Sequence, residues 1–158
     1  MICGSQNNSH LRLQNLKIFG QGKLNGKVQI SGAKNSALVL LAASLLTNET
    51  IILENIPFLT DIEKMRNILK DLGVNLADKN NRLEINSKNI FIKQLPYELV
   101  RGLRASFFCI GALLTKFGEA NVPLPGGCNI GSRPIDEHIN GLKALGAEII
   151  IEEGIVKA

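Results

Sequence analysis

A cysteine in a segment rich in proline and glycine is the residue with the clearest chemical potential. Residues 123–138 read PLPGGCNIGSRPIDEH and contain Cys128 and Arg133. Prolines fix φ and glycines permit unusual backbone angles, so the segment predicts an exposed loop that leads into a helix. A thiol near a cation and a helix start can have a lowered pKa and act as a nucleophile or proton donor. The alternative is a surface loop with an incidental cysteine.

A second candidate site consists of Lys34 and Asn35, which follow the residues Ser-Gly-Ala between a predicted strand and a predicted helix. The start of a helix has free N–H groups and the positive end of the helix dipole, so it attracts anions. Lys34 would add a positive charge there. The alternative is that Asn35 caps the helix while Lys34 lies in solvent. The Walker A pattern is missing from the sequence, so a nucleotide-binding P-loop is not predicted.

Arg101 and Arg104 are predicted to lie one turn apart near the start of a long helix at residues 96–117. Arg104 precedes a strongly apolar run, so its guanidinium is expected at the edge of the core. A carboxylate or phosphate could bind this group with two hydrogen bonds. A salt bridge to Glu98 or another acid is the alternative.

Three polar residues follow Arg133 and Pro134 in the first turn of the next predicted helix: Asp136, Glu137 and His138. Carboxylates are favourable at a helix N-terminus through the dipole alone, which is a purely structural role. His138 is interpreted first as a residue of the helix surface. These positions become candidates for binding because they adjoin the cysteine segment.

Composition limits the class of protein. The chain has 158 residues, is 45% hydrophobic and carries a net charge of +4 from scattered basic residues. Because no Lys/Arg run with interleaved aromatics is present, a nucleic-acid partner is not expected.

Three cysteines without a CxxC pair predict neither disulfides nor a metal site, and no cofactor is expected. The longest apolar run is too short for a membrane span, so we expect a cytoplasmic protein without a membrane partner.

Periodicity predicts an α/β order of elements after a loose tail at residues 1–14. Thr60 and Glu63 form a possible capping box, and Gly73 is a suitable helix stop. Strands are predicted at residues 16–19, 27–30, 50–53, 74–76, 83–85, 119–122 and 148–151 and from 155 onward, and helices at residues 35–46, 60–72, 96–117 and 134–145. The helix at residues 35–46 has an almost continuous apolar surface, which predicts deep burial.

The predicted order of the first half is βαβαββ, and the pattern recurs in the second half from the first helix onward. Residues 45–47 (LLT) recur at 113–115 with an offset of 68, and residues 69–74 (LKDLGV) correspond to 142–147 (LKALGA) with an offset of 73. The second copy therefore has about five extra residues, which fall in the cysteine segment. We predict one unit at residues 15–88 and a second at 89–158, with a catalytic loop at 123–133. Extra loop length on a rigid scaffold is commonly functional. Two such units would leave apolar faces uncovered, so the chain is expected to be the front part of a longer protein.

Three motifs resemble those of the enolpyruvyl transferases: SGAKN at residues 31–35, LRAS at 103–106 and LPGGCNIGSRPIDEH at 124–138. The cysteine motif is most similar to that of the members whose acceptor is UDP-N-acetylglucosamine. The resemblance covers about residues 15–158. It implies an inside-out α/β barrel in which each of two lobes contains three βαβαββ units, of which about two are present here.

The resemblance also implies a reaction: the enolpyruvyl group of phosphoenolpyruvate is transferred to the 3′-hydroxyl of UDP-N-acetylglucosamine, and phosphate is released. This is the first committed step of peptidoglycan synthesis. Cys128 would protonate the enol methylene and could form a covalent adduct. The substrate-binding residues would be Lys34 and Arg133 for phosphoenolpyruvate, Asn35 and Arg104 for the substrates generally, and Arg133, Pro134, Ile135, Asp136 and Glu137 for the uridine nucleotide. The remaining acid and arginines lie on the other lobe in this family, so the 158-residue chain alone is expected to be inactive.

Two other classes of function remain open at this point. Small basic α/β domains of this kind occur in RNA-associated proteins, and their binding would weaken steeply with salt. A thiol sensor could use Cys128, although a second cysteine is not close in sequence. The oligomeric state is not predicted.

Overall fold

The computed structural model describes residues 17, 19–20, 22–23, 25–80, 82–91, 94–95, 97–124 and 135–158. Helices and strands alternate along this part of the chain. They are α1 (Lys34–Ala43), β1 (Thr50–Glu54), α2 (Thr60–Asp71), β2 (Asn75–Lys79), β3 (Arg82–Asn86), α3 (Tyr97–Arg101), α4 (Cys109–Phe117), β4 (Asn121–Pro123), α5 (Asp136–Ala144), β5 (Ile150–Glu152) and β6 (Ile155–Lys157). Two 3-10 helices, Ser44–Leu46 and Arg104–Phe108, continue α1 and precede α4.

The strands form two antiparallel sheets with the same internal order. The first sheet has the order β1-β3-β2 and the second has the order β4-β6-β5. In the first sheet Ile51 pairs with Ile85 and Leu53 with Leu83, and these side chains face the core. Both predicted hairpins, β2–β3 and β5–β6, are confirmed. The recurrence of the predicted pattern is thus visible in the strand order, while the boundaries of the two units stay predictions.

The two copies end their second helix in the same way. Gly73 and Gly146 have φ values of 93° and 96°, which glycine adopts at little cost. The Gly73 N–H donates to the Lys70 carbonyl, and the Gly146 N–H donates to the equivalent Lys143 carbonyl, both at 2.9 Å. The residue after each glycine bonds back to a carbonyl five residues earlier. This is the Schellman arrangement, so the prediction that Gly73 stops the helix is confirmed.

Two predicted helix caps are wrong. The N-cap of α1 is Ala33, so Asn35 lies inside the first turn and not at the cap. The N-cap of α2 is Leu59, and neither helix has a side-chain cap. The Leu59 carbonyl instead accepts from the N–H groups of Ile62 and Glu63. The capping box predicted from Thr60 and Glu63 does not form. The N-cap position, with its extended backbone, is Leu59, so Thr60 is already the first residue inside the helix.

The predicted strand at residues 27–30 is also wrong. These residues are in no strand, and Val28 and Ile30 are 81% and 73% exposed. An alternating pattern forms a strand only where a partner strand accepts its hydrogen bonds. In the second copy, a parallel bridge between Gln94 and Asn121 places a chain segment at the edge of β4. The strand predicted at 16–19 falls partly outside the described residues.

The helix predicted at residues 96–117 is broken into three pieces. After α3, Gly102 and an extended Leu103 (φ −145°, ψ 106°) interrupt the helix, and the 3-10 helix Arg104–Phe108 then leads into α4. Because the helix is interrupted, Arg101 and Arg104 do not lie one turn apart on a common helix. Arg104 is instead the first residue of a new element.

The core is built mainly from helical side chains. The largest completely buried residues are Leu41, Leu45, Ile62, Met65, Ile68, Leu69, Leu72, Ile85, Leu95, Leu113, Val100 and Val122. The prediction that the helix at residues 35–46 is deeply buried is only partly correct, because Val39, Leu40 and Leu46 are 46–54% exposed. In the part of the chain that is described, none of the helices is both long and apolar enough to traverse a membrane.

Candidate active site

Lys34, the first residue of α1, is held against the start of α2. Its ammonium donates to a carboxylate oxygen of Asp61 at 2.8 Å, and both side chains remain partly exposed. Asp61 is the second residue of α2. The ion pair therefore joins the N-terminal ends of two helices, which both favour an anionic ligand through their free N–H groups. Asn35 is exposed beside Lys34.

Gly32 explains how the chain reaches Lys34. A Cβ atom on Gly32 would lie 2.0 Å from the carbonyl oxygen of Asn55, which follows β1 and has a positive φ of 55°. No side chain fits at that distance without a backbone shift. The residue at position 32 must therefore be glycine for the segment before α1 to pack against the connection from β1 to α2. This packing places Lys34 near Asp61.

Replacement of Gly32 by alanine is expected to lower the unfolding free energy by several kcal/mol, because the new methyl group meets a backbone oxygen. Gly111→Ala is the matched control, since a Cβ at Gly111 in α4 would have nothing within 4 Å. In a helix interior that exchange should be neutral or stabilising by about 0.5–1 kcal/mol. Chemical denaturation of both variants measures the difference, and equal stabilities would contradict the close approach.

Arg104 is placed by the break after α3. It is partly buried and begins the 3-10 helix Arg104–Phe108, which contacts both α1 and α2. The ammonium of Lys64, on α2, donates to the carbonyl of Gly102 at 3.1 Å. The first two turns of α2 thus contact Lys34 itself through Asp61 and the segment before Arg104 through Lys64.

The first turn of α5 packs on the same 3-10 helix. The His138 ring meets Phe107 edge-on with 5.7 Å between the ring centroids, and its centroid lies 5.8 Å from that of Phe108. His138 is exposed, as predicted, but it has this packing role in addition. Asp136 and Glu137 lie in the first turn and are exposed, and Ile135 is the partly buried N-cap residue. The first turn of α5, which contains the predicted site residues Asp136 and Glu137, therefore packs through His138 on the element that begins with Arg104.

Three predicted site residues, Cys128, Arg133 and Pro134, lie outside the described residues, as does most of the predicted catalytic loop at 123–133. Strand β4 ends before this segment and α5 begins after it. The described chain therefore stops at Leu124 before this segment and resumes at Ile135 after it.

Cys109 provides a contrast to the cysteine of that segment. It is completely buried at the start of α4, and burial raises the pKa of its thiol to about 12. At neutral pH it is a protonated, apolar core group and is not suited to serve as the second cysteine of a thiol sensor. Among the described residues, groups of three or more His, Cys, Asp or Glu side chains arranged for a metal ion are not found.

Two of the predicted substrate-binding cations lie on elements that contact α2. Lys34 and Arg104 stand at the starts of two helical elements, and α2 contacts the segments that carry both of them. Sequence reasoning did not include Asp61 and Lys64 in the site. Their spacing of three residues at a helix start was the available signal, but it is equally typical of an exposed helix surface.

The fold is that of the enolpyruvyl transferases, an inside-out α/β barrel. The chain superposes on the enolpyruvyl transferase NikO from Streptomyces tendae with a TM-score of 0.70 and 21% identity, over 87% of this chain and 30% of that one. It superposes on EPSP synthase from Acinetobacter baumannii with a TM-score of 0.58 and 16% identity, over 84% of this chain and 32% of that one. At these identities the likeness concerns the fold alone.

The chain belongs to the EPSP synthase (3-phosphoshikimate 1-carboxyvinyltransferase) family, whose sequence model matches residues 18–158. Relatives named UDP-N-acetylglucosamine 1-carboxyvinyltransferase are much more similar in sequence to this chain than the two solved structures are. Those of Prochlorococcus marinus strains MIT 9301 and MIT 9312 are 81% and 82% identical over the whole chain, and that of strain MED4 is 73% identical. In each case the chain spans 35% of the relative's length.

Proposed function

We propose that this chain is part of an enzyme that transfers the enolpyruvyl group of phosphoenolpyruvate to the 3′-hydroxyl of UDP-N-acetylglucosamine, with release of phosphate. The observation that carries the proposal is 81–82% identity, over all 158 residues, to relatives named for carboxyvinyl transfer to UDP-N-acetylglucosamine. The reaction would begin peptidoglycan synthesis and so contribute to cell shape and cell division. The odd number of cysteines and the lack of a CxxC pair in the sequence favour a reducing compartment, so we place the enzyme in the cytoplasm.

Lys34 and Arg133 bind the anionic groups of phosphoenolpyruvate in this proposal, with Asn35 beside them. The position of Lys34 at the start of α1, next to the start of α2, supports this role because both helix ends favour anions. When a ligand anion arrives, Asp61 keeps the ammonium oriented. Charges fixed before the reaction stabilise an anion without reorganisation at the moment of bond making.

Cys128 protonates the methylene carbon of phosphoenolpyruvate, which makes the adjacent carbon electrophilic. The 3′-hydroxyl of the nucleotide sugar then attacks that carbon, and loss of phosphate and a proton restores the double bond. The same thiol can add to the electrophilic carbon and form an adduct. Arg104 and the residues Arg133, Pro134, Ile135, Asp136 and Glu137 bind the nucleotide, which agrees with the packing of α5 on the element that begins with Arg104.

Lys34→Ala in the full-length protein is expected to lower kcat/KM for phosphoenolpyruvate by at least about 100-fold, since it removes a charge that faces the substrate. The melting temperature should fall by less than about 3 °C, because an exposed ion pair contributes about 0–1 kcal/mol. Phosphate release and differential scanning fluorimetry measure the two effects.

Lys79→Ala is the matched control. Lys79 forms a surface ion pair with Glu84 at 2.6 Å on the β2–β3 hairpin, so it tests the loss of a comparable pair away from the candidate site. The control should change neither kcat/KM nor the melting temperature appreciably. If Lys34→Ala retains a normal kcat/KM for phosphoenolpyruvate but lowers the melting temperature by much more than about 3 °C, Lys34 has a structural role and the proposed site is wrong.

A further inference from the structure

Two backbone hydrogen bonds mark the entry into the 3-10 helix that carries Arg104. The Leu103 N–H donates to the Val100 carbonyl at 3.0 Å, and the Ser106 N–H donates to the Leu103 carbonyl at 3.1 Å. Gly102 lies within the turn that the first of these bonds closes, and it is exposed. The orientation of its peptide group sets the direction in which the chain enters the 3-10 helix, two residues before Arg104.

Lys64 holds that peptide group from a different element. Its ammonium donates to the Gly102 carbonyl at 3.1 Å across 38 residues of sequence. A hydrogen bond from a charged donor is stronger than one between neutral groups. Lys64 stands on a rigid base, because its neighbour Met65 and the nearby Ile62 on α2 are 0% and 1% exposed. The contact therefore connects a well-packed helix to an exposed chain break.

We propose that Lys64 is a positioning residue for Arg104: by binding the Gly102 carbonyl it fixes the entry of the 3-10 helix and thus the backbone position from which the Arg104 side chain extends. The inference rests on the proposed function, in which Arg104 binds the substrate. Lys64 itself touches the backbone of the protein and not the substrate. The start of α2 then positions two substrate-binding cations, Lys34 through Asp61 and Arg104 through Lys64.

Two measurements on the full-length protein test the inference. The first is the ¹H–¹⁵N signal of the Arg104 Nε–H group, assigned by its loss in Arg104→Lys. Lys64→Met should move or broaden this signal without any ligand, and Lys64→Arg should restore it.

The second measurement is calorimetric titration with UDP-N-acetylglucosamine, for which Lys64→Met should raise Kd about tenfold, because small displacements of a binding group are costly. Lys70→Met, an exposed lysine in the last turn of the same helix, is the control for lost charge.

The Arg104→Lys background separates positioning from general stability. If Lys64 acts through Arg104, then Lys64→Met should raise Kd by less than about twofold in that background, since the two effects are not additive. An Arg104 signal that is unchanged in Lys64→Met overturns the inference, whatever the enzyme binds. A wild-type protein that binds no UDP-N-acetylglucosamine overturns the proposed function instead, and the arginine signal still decides the role of Lys64.

Discussion

Cys128→Ser in the full-length protein is expected to reduce the rate of phosphate release from phosphoenolpyruvate and UDP-N-acetylglucosamine by at least about a thousandfold. A serine hydroxyl is a far weaker acid and nucleophile than a thiol, so it would neither protonate the methylene carbon nor form the adduct. The melting temperature should change little, because the substitution is nearly isosteric. A rate within about tenfold of the wild-type value would show that Cys128 is not the proton donor.

Cys109→Ala is the matched control for this experiment. Cys109 is completely buried, and its pKa of about 12 leaves roughly one thiolate in ten thousand at pH 8. This variant should lose some stability through the small cavity but retain turnover. Iodoacetamide at pH 8, followed by peptide mass mapping, should modify Cys128 and leave Cys109 intact in the folded protein. Modification of Cys109 before unfolding would contradict its burial.

The 158-residue chain by itself is expected to have no measurable transferase activity. It spans 35% of the length of relatives that are 81–82% identical to it, and the family resemblance places the carboxylate that acts as the base on the other lobe. A proton-transfer group must lie within about 3 Å of its target, and reacting groups gain effective concentration only when they are held together. A chain without those groups should bind substrates weakly and release no phosphate.

The measurement compares phosphate release by this chain with that of a chain extended to the length of the relatives. Circular dichroism of the short chain establishes whether it is folded under the assay conditions, so that inactivity is not confused with unfolding. Slow alkylation of Cys128 by the epoxide fosfomycin remains possible in the short chain, because this reaction needs only a reactive thiol. Full turnover by the short chain would contradict a site shared between two lobes.

Local signals in the sequence predicted much of the fold. Gly73 ends α2 as predicted, and Gly146 ends α5 in the same way, because a left-handed residue at a helix end depends on a few neighbouring bonds. The hairpins β2–β3 and β5–β6 follow from short apolar runs on either side of a turn. The duplicated order was also visible, since it is a property of the sequence and needs no contact to define it.

Other features depended on partners that are distant in sequence. Residues 27–30 alternate like a strand but form none in the described chain, because a strand requires a second chain segment for its hydrogen bonds. The helix predicted at 96–117 is interrupted at Gly102, where the carbonyl binds Lys64 from α2. Neither outcome can be read from a single window of sequence.

The amino-acid sequence by itself determined the candidate chemistry: the motif around Cys128, the lysine at the start of α1 and the arginine at 104 were all identifiable from residue types and order. Tertiary structure decided how two of them are supported. Asp61 meets Lys34 across 27 residues and Lys64 meets the Gly102 carbonyl across 38. Such pairs form only when α2 packs against α1 and also against α3 and the 3-10 helix Arg104–Phe108. Side-chain contacts of this kind are a consequence of the folded core, and spacing along the chain does not encode them.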